Sequence, residues 1–176
     1  MADFRPRLIK PGGGQIVFPY TPTISFGSTA NYSEYELVHT NYAINAFTNS
    51  RPNNIIINAP FYNQTREEAI NTVDTLLFLR SNLKMDFGNN ATGAPPPILT
   101  FSAYGEFNFN NVPVLLLNFD TSYANEIDYV NDGRGNYIPT DMTVNITLLP
   151  QYSAEKQRAF SLDAFSNGIG YREGYI

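Results

Sequence analysis

Residues 93–119, GAPPPILTFSAYGEFNFNNVPVLLLNF, decide the fold class of this chain. Three consecutive prolines lack a backbone N–H and hold an extended lead-in. Two apolar runs follow, 98–104 and 112–119, joined by a Gly/Asn-rich connector, which is a strand–turn–strand pattern. In the first run Leu99, Phe101 and Ala103 alternate with Thr100 and Ser102, so one face is expected to be wet. In the second, Val112, Val114 and Leu116 share one face and Leu115, Leu117 and Phe119 the other. A strand apolar on both faces is covered on both. In a chain this small the second cover is expected to be a helix or another subunit.

That cover has one clear candidate. A helix is predicted from about residue 66 to about residue 86. Thr65 is a good N-cap, and Glu68 three residues on completes a capping box. Glu67 and Glu68 suit the positive end of the helix dipole. Lys84 and Gly88 supply a stop signal. At about 100° per residue, Ala69, Ile70, Val73, Leu76 and Leu77 fall on one stripe. Phe78 and Leu79 lie off that stripe, and extra apolar positions at a helix end mark a subunit contact. Arg80 falls near the middle of the stripe. It is expected either to snorkel at the rim of the core or to pair with a carboxylate, Asp128 or Asp120, that pins the helix to the sheet.

Further out the chain reads as strands. Residues 15–18, 21–26, 34–39, 43–47 and 54–59 are short candidates; Pro19 and Pro22 confine the first two to edges or bulges, Arg51-Pro52-Asn53 reads as a turn, and Pro60 is expected to stop the last. Met142, Val144, Ile146 and Leu148 alternate with Thr143, Asn145 and Thr147 up to Pro150. Residues 121–135 read as a polar loop. Residues 1–14, broken by Pro6, Pro11 and three glycines, read as an N-terminal arm, either disordered or docked on a neighbour. The expected organisation is an arm over 1–14, a β domain over 15–152 and a tail over 153–176. The tail holds a short helix near 154–165, and its aromatic residues need a partner surface.

Composition narrows the function. Eleven basic against sixteen acidic residues give a net charge of −5, which argues against wrapping nucleic acid but not against surrounding it. With no cysteine and one histidine, His39, neither a disulfide nor a histidine pair for a metal can form. The N-terminal region has no apolar stretch of signal-peptide type, and no run is long enough to span a bilayer. Asp120, Glu126 and Asp128 have nothing local to fix their separation for hydrolysis. Gly12, Gly13 and Gly14 lack the following helix and Lys-Ser/Thr of a phosphate cradle. The expectation is a protein with no catalytic site, no cofactor and no metal.

Motifs spread over residues 40–152 resemble the tail-tube initiator and baseplate tube proteins of contractile-tailed bacteriophages. They begin with His39-Thr40-Asn41-Tyr42, Asn63-Gln64-Thr65 and Glu67-Glu68-Ala69. Phe78-Leu79-Arg80-Ser81 and Lys84-Met85 follow, then the strongest piece, Gly93-Ala94-Pro95-Pro96-Pro97-Ile98-Leu99. Tyr104-Gly105, Phe109-Asn110-Asn111-Val112-Pro113-Val114, Asp128-Tyr129-Val130, Ile138-Pro139-Thr140 and Pro150-Gln151-Tyr152 complete it. Tyr137 stands where the family commonly has tryptophan, a change that keeps an aromatic ring.

The resemblance implies a mainly β, α+β fold: a tail-tube-like sandwich or barrel with one flanking helix and a long inter-subunit hairpin. It implies a homo-hexameric ring between the baseplate hub and the tail tube, or a second initiator ring. The sheath initiator and tape-measure protein would be further neighbours, and DNA would pass through the lumen unbound. On this reading the 98–119 hairpin pairs its edges with the adjacent subunit. Ile98, Phe101, Tyr104, Val114, Leu115 and Leu117 are the expected contact residues, with Phe78 and Leu79 of the helix. Arg80 and Asp128 are the expected structural ion pair. A second reading stays open at this point: a monomeric β-sandwich module that binds carbohydrate through its many Tyr and Asn residues.

Overall fold

The computed structural model describes residues 4–87, 93–125 and 127–176. Among them the chain forms β1 (Arg7–Ile9), β2 (Gln15–Val17), β3 (Thr23–Ser25), β4 (Ser28–Tyr35), β5 (Ile44–Pro52) and β6 (Ile55–Tyr62). Helix α1 (Arg66–Asn82) follows, then β7 (Leu99–Ala103), β8 (Phe109–Tyr123), β9 (Tyr129–Asn131), β10 (Tyr137–Pro139) and β11 (Asp141–Pro150). Three short helices close the chain, α2 (Ala154–Arg158), α3 (Leu162–Ser166) and α4 (Ile169–Arg172). The fold is mainly β, as expected.

Seven strands make one antiparallel sheet in the order β2-β1-β7-β8-β11-β6-β3. Its two edge strands, β2 and β3, are close neighbours in sequence. The six steps from Val17 to Thr23 reach at most about 20–22 Å, whereas six inter-strand spacings laid flat need about 29 Å. The sheet is therefore rolled, with its edges drawn together by the 18–22 connector. Phe18 is buried in that connector, and its N–H donates to the Pro6 carbonyl. The Tyr104 hydroxyl donates to the Pro22 carbonyl at 3.2 Å.

Period-two alternation places the core inside the roll. Ile55, Ile57, Ala59 and Phe61 of β6 point in, as do Met142, Val144, Ile146 and Leu148 of β11. Leu8, Leu99, Phe101, Val112, Val114 and Leu116 complete the wall. Pro60 does not stop β6, which pairs with β11 as far as Tyr62. β3 ends opposite Asn58, so Pro60 lies where β6 is an edge strand on that side and tolerates proline.

Two expectations about the central hairpin need correction. Strands β7 and β8 do form an antiparallel hairpin, with Leu99 opposite Val114 and Phe101 opposite Val112. Its edges, however, are taken in large part by this same chain: β1 pairs with β7, and β11 with β8 from Val114 to Tyr123. Residues 7–9, assigned to an arm, supply one of those partners. The β7 side of β8 is paired only as far as Val114, so residues 115–123 have no strand partner on that side among the described residues. Second, Phe119 faces inward. The β8–β11 register shifts between Thr147 and Leu148, so that Ile146 faces Phe119 but Leu148 faces Leu116. One extra residue on β8 inverts the alternation beyond it, and Phe119 joins the rim of the core while Leu117 stays out.

Helix α1 begins as predicted. The Thr65 side chain accepts from the Glu68 N–H, and the Glu68 carboxylate accepts from the Thr65 and Gln64 N–H groups at 2.9 and 2.8 Å. Those backbone donors hold the Glu68 carboxyl below its usual range. The far end differs: the helix stops at Asn82, and Asp86 exchanges two backbone hydrogen bonds with Ala94. That bridge pulls the chain out of helical geometry before residue 86, and Gly88 lies outside the described residues. The buried face is also rotated from the predicted stripe. Ala69, Thr72, Thr75, Leu76, Leu79 and Asn82 are buried, Ile70 and Val73 are half-buried, and Leu77 is exposed.

Candidate subunit interface

Strands β4 and β5 stand apart from the sheet. They pair only with each other, from Ser28 opposite Pro52 to Tyr35 opposite Ile44, with a register shift between Asn31 and Tyr32. Eight residues at about 3.3 Å each give arms of about 26 Å. None of residues 27–54 belongs to the hydrophobic core. Local contacts hold the ribbon: Tyr32 and Phe47 meet edge to face at 5.7 Å, and Asn31 Nδ2 donates to Asn49 Oδ1 at 2.7 Å. The pairing puts Tyr32 and Phe47 on one face and Tyr35 and Ile44 on the other. All four are exposed, as are Leu37, Val38 and Tyr42 around the tip, the last two at 84 and 86 %. An isolated two-stranded hairpin is marginal in water, and this one carries an exposed apolar pair on each face among mostly polar residues.

At the base of the hairpin the C-terminal helices form a cleft of about 510 Å³. Its floor and walls are Tyr152, Phe160, Leu162, Phe165, Tyr175 and Ile176, and its near rim is Ser28, Ser50, Arg51 and Pro52. The tail aromatics were expected to need a partner surface; in part they supply it to one another. Phe160 packs on Tyr175 and Phe165, and Phe165 on Tyr171. The Tyr152 hydroxyl donates to the Gly174 carbonyl and the Tyr175 hydroxyl to the Lys156 carbonyl. Burial pushes the Tyr152 phenol up to about 12. Burial also lowers the Lys156 ammonium, against the attraction of Glu173. Gly174, at φ +80°, sits on the Asn110 and Asn111 carbonyls, where a Cβ would approach to 2.8 Å. The tail is thereby docked on β8, and Phe160 and Leu162 remain exposed at the mouth of the cleft.

The predicted interface residues divide. Phe101, Val114 and Leu79 are wholly buried in this chain's own core and cannot meet a second subunit. Leu115 and Phe78 are half-buried. Ile98, Tyr104 and Leu117 are exposed to between 40 and 47 % but lie on the sheet body, away from the hairpin. Arg80 and Asp128 are both exposed, and no ion pair joins them among the described residues. What pins α1 is a polar network that hydropathy does not reveal. Buried Thr72 donates to Asn63 Oδ1 at 2.6 Å, and Asn63 Nδ2 donates to the Pro139 carbonyl at 2.9 Å. A second anchor lies at the start of the helix. Arg66 Nε donates to the Asp132 carbonyl, and a Cβ on Gly133 would collide with that guanidinium. The inaccessible Asp132 carboxylate accepts from Asn136 Nδ2 and from the Arg134 and Asn136 N–H groups, which hold it below its usual range.

For chemistry the inventory is thin. His39 is exposed at the hairpin tip, Asp120 is exposed opposite Asn145, and Glu126 lies outside the described residues. Gly12, Gly13 and Gly14 make the turn between β1 and β2, all at positive φ. Among the described residues no cluster of three or more metal-ligating side chains occurs, and no helix is long and apolar enough to cross a membrane.

No family model and no curated protein matches this chain. Among solved structures, it is similar to a chain of the six-fold symmetrised cryo-EM structure of the anti-feeding prophage baseplate. The two share 8 % identity at a TM-score of 0.41, over 86 % of this chain and 92 % of that one. At this level the likeness fixes neither family nor function.

Proposed function

We propose that this chain is a structural tail protein: a baseplate tail-tube initiator that works as a homo-hexameric ring joining the baseplate hub to the tail tube. The observation that carries this reading is the β4–β5 hairpin, about 26 Å of two-stranded ribbon with apolar side chains on both faces and no cover from its own chain. Such an element is finished by a neighbour. A head-to-tail contact that closes on itself gives a ring. The motif resemblance, which covers residues 40–152, supplies the ring's place in a contractile tail. The ring face then offers the tube protein a preformed first layer.

The outward positions of β6, β11 and β8 support passage of a polyanion. Asn58 Nδ2 donates to Asn145 Oδ1, and Asp120 faces Asn145 from the other side. None of these three strands contains a lysine or arginine. A face without cations offers phosphates no pairing partner, so DNA would slide past without stalling.

Sedimentation velocity and negative-stain imaging, on the purified chain and on the chain mixed with its hub, test the reading. The expected particle is a ring of six copies with a central hole. A chain that stays monomeric in both settings, up to millimolar concentration, would refute it and favour the monomeric binding module.

A further inference from the structure

The hairpin tip and the C-terminal cleft are complementary surfaces carried by one chain. The tip presents Leu37 and Val38 between the carboxylates of Glu34 and Glu36 and the His39 ring, all exposed. The cleft is lined mainly by aromatic and aliphatic side chains, with Ser28, Ser50 and Gln157 among them; Arg51 on its rim is its one charged side chain among the described residues, and it makes no ion pair there. At about 510 Å³ it lies within the range of sites that enclose a drug-sized group. The tip cannot reach its own cleft. Ser28 and Ser50–Pro52, at the foot of the hairpin, form the cleft's rim, and the arms carry the tip about 26 Å away.

We propose that the hairpin tip of one copy docks in the C-terminal cleft of the next, with Leu37 and Val38 against Phe160 and Leu162 and the tip carboxylates beside Arg51. This rests on the ring reading and specifies its contact. Two different patches meet, so the contact is heterologous and propagates around a ring. The apolar pair supplies burial, and the charge pairing sets orientation. The cleft is built by the C-terminal helices, so the tail becomes part of the assembly surface.

The chain has no cysteine, so disulfide trapping has no background. Val38→Cys and Leu162→Cys are made in separate preparations, checked for native circular dichroism, mixed, and oxidised at millimolar concentration. A disulfide-linked dimer is expected in the mixture and in neither preparation alone. The chain carrying both substitutions is expected to give a ladder ending at six. Arg51→Glu is expected to reduce trapping about tenfold, and Glu36→Lys in the partner to restore it. Closed rings without the mixed disulfide would overturn the docking and leave the ring standing. The mixed disulfide without closed rings would keep the docking and remove the ring. Equal trapping in Val38→Cys alone would mean tip-to-tip contact, and no association at all would overturn both.

Discussion

Excising the hairpin separates its two roles, because the body does not use it for folding. Replacing residues 32–48 with Asn-Gly leaves Asn31 and Asn49, already cross-strand partners, to be joined by a two-residue turn. No residue of 27–54 lies in the hydrophobic core. The body should therefore lose less than about 1 kcal/mol, a melting shift of roughly 2–4 °C for a domain of this size. Association should fare differently. Tyr32, Tyr35, Leu37, Val38, Tyr42, Ile44 and Phe47 are each 53–86 % exposed. Covering them at about 1–2 kcal/mol each contributes roughly 7–14 kcal/mol per copy as an upper bound. Lost translational and rotational freedom costs about 4–15 kcal/mol, so without the hairpin the balance turns against assembly. Thermal melts and sedimentation velocity read the two effects. Rings that persist after excision, or a body that melts more than about 10 °C lower, would refute the assignment.

Phe101→Ala should cost about 3–5 kcal/mol in urea unfolding, because its ring is fully buried; Leu117→Ser, at the bulge, should cost under about 1 kcal/mol. Thr72→Val leaves Asn63 Oδ1 without its hydroxyl donor and should destabilise by about 1–3 kcal/mol, visible as earlier loss of helical signal. Asp132 and Glu68 are held below their usual ranges, so the stability they contribute is present above about pH 4. It is lost as pH falls through their lowered values, and Asp132→Asn should flatten the acid limb of stability against pH. The Tyr152 phenol, raised from 10.0 to about 12 in the fold, stabilises the protein fully below pH 10. That contribution disappears as pH rises from 10 to 12, and Tyr152→Phe should remove this alkaline limb.

Local signals in the chain were sufficient for its local features. The capping box at Thr65 and Glu68 depends on residues three apart, and the helix begins there. Alternation in 142–148 put Met142, Val144, Ile146 and Leu148 inside, where they are. The mainly β class and the 98–119 hairpin likewise follow from short-range pattern and turn chemistry. Interfaces needed long-range information. Whether β7 and β8 have free edges depends on β1 and β11, distant in sequence, and neither strand's own residues record that pairing. One extra residue in β8 moved Phe119 to the rim of the core, and a register shift is invisible to a period-two count. Thr72 and Asn63 could be buried because they satisfy each other and the Pro139 carbonyl, and Thr75 because its hydroxyl donates to the Asn71 carbonyl one turn back, so hydropathy misplaced the inner face of α1. The strand that reads as apolar on both faces, β8, finds much of its cover within its own chain, whereas the β4–β5 hairpin, whose residues are mostly polar, is the element that keeps its aromatic and aliphatic side chains exposed. The apolar pattern of 98–119 determined that this segment needs cover on both faces; only the folded chain decided where that cover comes from and which other ribbon was left bare, because burial is settled by what packs against a surface.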